Sequence, residues 1–122
     1  MHELSLARAV VAEVSDAAEA RSFERVIEVE LKIGTLCGVI AESLVFAFEM
    51  ASLGTRLEGA ILQITSSDVS VWCEKCDAVV EPSARLVFVC PECNSPCPEL
   101  RSGRELEIVR FSVDPREVAA TW

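Results

Sequence analysis

The feature that most restricts this chain is Cys73-Glu74-Lys75-Cys76 followed by Cys90-Pro91-Glu92-Cys93, a C-x2-C-x13-C-x2-C spacing. Two short thiolate loops at this separation close a tetrahedron around one metal ion. Four-cysteine tetrahedral sites suit Zn²⁺ and, less often, iron, so the spacing alone leaves a rubredoxin-like iron centre open beside zinc. The surrounding segment has few large apolar side chains: Val79, Val80, Leu86, Val87 and Phe88 are too few for a core. A metal would supply the missing folding free energy, on the order of 10 kcal/mol for a structural zinc site. Four thiolates fill the shell and leave no open position for substrate, so the expected role is structural.

The chain has six cysteines, and five of them lie between Cys73 and Cys97. Such clustering argues for metal rather than a disulfide framework, and for a reducing, cytoplasmic compartment. Cys97 reads as a free thiol beside a filled shell, with exchange as a fifth thiolate as the alternative. Cys37 sits in a glycine-bracketed loop and reads as a small packed or loop residue.

Composition removes several function classes. The 122 residues suit one domain, or one with a small module attached. Eleven basic against twenty acidic side chains give a formal charge of −9. That balance speaks against nucleic acid, which demands positive charge, and against an anionic membrane surface. The cysteine segment itself has no basic stripe, since Lys75, Arg85, Arg101 and Arg104 are outnumbered by Asp68, Glu74, Asp77, Glu81, Glu92 and Glu99. No G-x-x-x-x-G-K-[ST] loop is present, so the chain is not a P-loop nucleotide hydrolase. The single histidine is His2. A Ser-His-Asp or Cys-His catalytic arrangement would have to be built from the second residue, so no enzyme activity is expected. No 18-residue apolar run suggests a membrane span.

Periodicity orders the remainder. Leu4, Ala7, Val11, Val14 and Ala18 recur at helical steps, predicting a helix from Glu3 to Ala20. Val26 to Ile33 alternates, with Ile27, Val29, Leu31 and Ile33 on the inner face. Leu44, Val45, Phe48 and Ala51 predict a second helix from Ala41 to Leu53, stopped at Gly54. Ala60–Thr65 and Leu106–Val113 read as further strands, followed by a short polar tail. The expected fold is α+β: two helices packed on a three-stranded sheet, with an inserted zinc-ribbon-like four-cysteine module. The expected domains are 1–67 plus 104–122, and the module 68–103.

The first residues carry a second metal possibility. Initiator methionine is normally kept before a bulky residue such as His2. The Met1 amine, the His2 backbone nitrogen and its imidazole then chelate one ion through fused rings, with Glu3 adding a nitrogen or a carboxylate. Such a nitrogen-rich set suits Ni²⁺ or Cu²⁺. The residues alone favour the blander reading, because terminal histidines mostly have no role.

The sequence resembles the HypA/HybF family of nickel metallochaperones for [NiFe]-hydrogenase maturation. The resemblance runs through Met1–Ala7, Glu30–Val39, Ser43–Glu49, Gly54–Ala60, both C-x-x-C pairs and Ser102–Ile108. It implies Ni(II) as transient cargo at Met1, His2 and Glu3, and structural Zn(II) at Cys73, Cys76, Cys90 and Cys93. It further implies transfer to the hydrogenase large subunit precursor with a HypB-like GTPase, which fits the missing P-loop, and service to urease in some members. An open sheet face or edge would suit that partner or a homodimer. Asp77 and Asn94 depart from the family by standing where glycine is common after each cysteine pair; both tolerate the left-handed turn that glycine favours. Cys37 replaces a common serine, and Cys97 is additional. A zinc-ribbon adaptor without any use for His2 is the competing reading.

Overall fold

The computed structural model describes residues 2–84 and 86–119. Helix α1 (Glu3–Ala20) contains neither glycine nor proline, and its Ala-rich sequence favours the helix intrinsically. Its buried stripe is wider than the periodicity predicts, taking in Leu6 and Val10 beside Ala7, Val11, Val14 and Ala18. No glycine ends it. Ser22 adopts the left-handed conformation instead (φ 61°), and the Phe23 amide donates back to the Ala18 carbonyl at 2.9 Å.

Strand β1 (Val26–Gly34) follows, then a 3₁₀ turn at Thr35–Cys37 and helix α2 (Ala41–Ser52), which packs against α1. Gly54 just beyond α2 has φ 75°, the conformation a helix stop requires. Strands β2 (Ile61–Ser67) and β6 (Leu106–Val113) flank β1 in a three-stranded sheet of order β2-β1-β6. Between them in sequence, β3 (Ser70–Cys73), β4 (Ala78–Val80) and β5 (Leu100–Ser102) make a second sheet, antiparallel and ordered β4-β3-β5. The α+β architecture is thus two small sheets with helices. The inner face of β1 differs from expectation at its start: Val26 is buried and Ile27 is 45% exposed.

A short helix α3 (Pro115–Ala119) occupies part of the expected polar tail. Its start is encoded in Asp114-Pro115. The Asp114 carboxylate accepts from the Arg116 amide at 2.9 Å, and proline suits the first helical position. The Glu117 carboxylate in turn accepts from the amides of Glu24 and Arg25, tying α3 to the turn before β1.

The chain divides into two compact units. One contains residues 1–31, 39–65 and 107–122; the other contains 32–38 and 66–106. In the first, Phe48, Leu31, Leu44, Leu57, Val14, Val26 and Val29 are fully buried. The second has a small core of Val69, Val71, Cys73, Cys90 and Cys97, with Leu36, Val80, Phe88, Cys93 and Leu100 packed on it.

Candidate metal centre

Each cysteine pair is presented by a tight turn. Cys73 ends β3 and pairs with Ala78 across the β3–β4 hairpin, so the Glu74–Asp77 turn brings Cys76 back beside it. The Cys76 amide donates to the Cys73 sulfur at 3.4 Å, and Asp77 closes the turn at φ 52°. The second pair repeats the device. The Asn94 amide donates to the Cys90 carbonyl at 2.9 Å, the Cys90 amide donates to Ser95, and Asn94 stands at φ 59°. Asp77 and Asn94 therefore do occupy left-handed positions, which short polar side chains tolerate best after glycine.

The turns converge four sulfurs. Cys73 and Cys93 lie 3.5 Å apart, Cys76 and Cys90 3.9 Å apart, and all four within 4.8 Å of one another. Zinc–sulfur bonds of about 2.3 Å in a tetrahedron require sulfurs about 3.8 Å apart, so the donor set fits one such ion. Cys73 and Cys90 are buried, Cys93 is half-buried and Cys76 is exposed. As thiols they differ. The hydroxyl and amide of Ser95 hold Cys93 down to about 6, whereas hydrogen bonding with Cys93, Cys73 and Cys90 pushes Cys76 up to about 12. Metal binding to thiols releases their protons.

Cys97 is outside this foursome. Its thiol is buried and donates to the Ser95 carbonyl at 3.4 Å, while its amide donates to Phe88. Cys37 donates to the carbonyls of Glu105 and Arg104 at 3.3 and 3.5 Å.

Two further motif segments, named above without a role, meet here. The Gly34 amide donates to the Glu105 carbonyl at 2.7 Å, and the Leu36 amide to Gly103 at 2.8 Å. Gly34 admits no side chain, because a Cβ would sit 2.1 Å from the Gly103 carbonyl. Glu105 pins the crossing: its carboxylate accepts from the Gly103 amide at 2.6 Å and the Ser67 hydroxyl at 3.0 Å. Its own backbone amide, then Gly103 and Ser67, lower its pKa. Leu36 packs on the cysteine core. The glycines were the available signal, but nothing local pairs Gly34 with Gly103.

At the other end of the chain, Met1 is outside the described residues. His2 is exposed and forms the N-cap of α1; its carbonyl accepts from the Leu6 amide at 3.1 Å and its side chain makes no capping bond. Glu3 is the first helical residue. These residues belong to the first unit and the four cysteines to the second.

Three helices with a three-stranded sheet, and a second small sheet with two turns that gather four thiols, define a small metal-binding protein whose thiol site suits structural zinc. A family model described as hydrogenase/urease nickel incorporation, metallochaperone, hypA, matches residues 1–113, and the chain belongs to the HypA family. Among its relatives, the hydrogenase maturation factor HypA of Roseiflexus sp. (strain RS-1) is 40% identical over 121 residues, covering 99% of this chain and 98% of that one. That of Chloroflexus aurantiacus (strain ATCC 29366 / DSM 635 / J-10-fl) is 45% identical over 109 residues, covering 89% and 96%. Among solved structures, the nickel metallochaperone HypA from Helicobacter pylori superimposes with a TM-score of 0.65 at 25% identity, covering 93% of this chain and 97% of that one. No helix among the described residues is long and apolar enough to cross a membrane.

Proposed function

We propose that the chain is a nickel carrier for [NiFe]-hydrogenase maturation, binding Ni(II) through Met1, His2 and Glu3 and a structural zinc ion through Cys73, Cys76, Cys90 and Cys93. The observation that carries this reading is the separation of donor sets. Four thiolates saturate one tetrahedral ion, so cargo needs other ligands, and the only imidazole, His2, stands exposed in the other unit. The His2 and Glu3 amides belong to the first positions of α1, whose N–H groups have no intrahelical acceptor. They can turn to a metal at no cost to the helix. The positive end of the helix dipole opposes a cation there, which suits a carrier that must release its ion.

The chain carries nothing through turnover and is not an enzyme in this reading. Nucleotide hydrolysis falls to a HypB-like GTPase, because no phosphate-binding glycine loop exists here. The acceptor is the hydrogenase large subunit precursor, with urease as a second recipient where a cell contains one. The protein acts in the cytoplasm. Residues 1–67 with 104–122 form the nickel-binding domain and 68–103 the zinc module.

The test is calorimetric titration of nickel into tag-free, zinc-loaded protein with its native Met1, beside His2→Ala, with metal content by mass spectrometry. About one nickel per chain, lost in His2→Ala while one zinc remains, is the expected result. Equal nickel binding by both proteins would sink the N-terminal site. Iron in place of zinc, with a red colour, would favour the electron-carrier alternative.

A further inference from the structure

Helix α2 leaves an apolar ridge uncovered. Phe46, Met50 and Leu53 follow one another at steps of four and three, and are 65%, 53% and 60% exposed. Beside the ridge runs a groove lined by Val45, Phe48, Ser52 and Leu62, with Leu53 and Ile61 on its rim. Ile61 is 57% exposed. Single exposed apolar residues are ordinary, but a ridge of three on one helix face, whose Leu53 joins Ile61 at the rim of a groove, marks a contact surface. The groove also holds an unanswered polar group: the Ser52 hydroxyl is buried and has no hydrogen-bond partner among the described residues.

Charge narrows the occupant. Glu42 and Glu49 lie on the same exposed side of α2, and the Glu58 carboxylate accepts from the Gly54 amide at the end of that helix. None of the three forms an ion pair among the described residues. The arginines of this region are committed to carbonyls, Arg56 to Phe23 and Arg25 to Glu58. A second copy would bring this acidic rim against its own likeness, and the chain carries −9 overall. Like charges across a contact disfavour it, whereas a basic rim gains from it.

We propose that the α2 ridge and its groove dock an amphipathic helix of another protein, with Leu-, Met- or Phe-type anchors flanked by Lys or Arg. The four-then-three spacing is the ridge that interdigitates with a facing helix. An anchor enters the groove against Phe48 and Leu62, and a polar group beside it meets Ser52. None of the residues of this surface is among the proposed metal ligands.

The test uses the full, zinc-loaded chain and two synthetic helical peptides with one Leu/Phe face, flanked in one by Lys and in the other by Glu. Anisotropy reads affinity and amide chemical shifts locate the contact. The Lys-flanked peptide is expected to bind about tenfold more tightly. Its shifts should concentrate on Phe46–Leu53 and 59–62. Met50→Ser should weaken it about tenfold with zinc content unchanged. Glu49→Lys, which leaves the ridge intact, should erase the preference between peptides. Equal binding of both peptides, or shifts scattered over the acidic surface, overturns the proposal. So does tighter binding of an alternating Leu/Lys strand peptide, or a dimer of the protein alone that Met50→Ser dissociates.

Discussion

The unit built on α1, α2 and most of the first sheet buries Phe48, Leu31, Leu44 and Leu57 completely, whereas the core cluster around the thiols consists of two valines and three cysteines. The first has enough aliphatic and aromatic surface to hold itself together. The second places sulfurs where a core would have leucines, and its strands are three or four residues long apart from the ends of the longer sheet. Sulfur ligands ionised around a metal stabilise by coordination, not by leaving water. One chain therefore contains a region whose stability tracks apolar area and another whose stability tracks metal and pH.

Removing the metal should separate the two most sharply. Chelation, or Cys90→Ala, is expected to abolish amide protection across 66–106 and leave α1 and α2 protected. The stake is on the order of 10 kcal/mol of metal-binding free energy. Hydrogen exchange by residue reads it, and a uniform loss of protection in both units would break the comparison. Acidification should mimic chelation, because protons compete with metal for the thiolates.

The converse is Phe48→Ala. It should cost the first unit about 3–5 kcal/mol in chemical denaturation and leave zinc content intact. Loss of zinc in that variant would show that the units are not energetically distinct.

Gly34→Ala is a finer probe. Its Cβ meets the backbone of Gly103, which cannot swing aside, so a loss of about 1–3 kcal/mol is expected, with weakened protection around Leu36 and Gly103. Gly38→Ala faces open space and a positive φ, and should cost about 1 kcal/mol.

The smallest effect concerns α3. The Arg116 side chain and amide hold Asp114 down to about 2, below the ordinary carboxylate value. A lowered carboxylate stabilises above its unfolded pKa of about 3.9 and loses that contribution as pH falls towards 2. Protection of the Arg116 amide should fade over that window in the native protein and be pH-independent there in Asp114→Ala.

Much of this was written locally. The helical stripes of α1 and α2, the alternation of β1 and the spacing of Cys73, Cys76, Cys90 and Cys93 are short-range patterns, and each reappears in the structure within a residue or two. The Asp114-Pro115 helix start was equally local, though hidden in a polar tail. Ser52 was not legible: a hydroxyl reads as surface, yet this one is buried. The exposure of Ile27 was hidden too, since alternation states which residues share a face but not where cover ends.

Sequence by itself determined the two long helices, the three strands of the first sheet and the four-thiol set, because residue spacing sets which side chains share a turn or a face. Tertiary structure alone decided that residues 32–38 pack with the cysteine unit, that Gly34 crosses Gly103, and that Cys97 is buried just outside the ligand set. The first two depend on contacts between segments nearly seventy residues apart, whose pairing is selected by packing and buried hydrogen bonds rather than by any local preference.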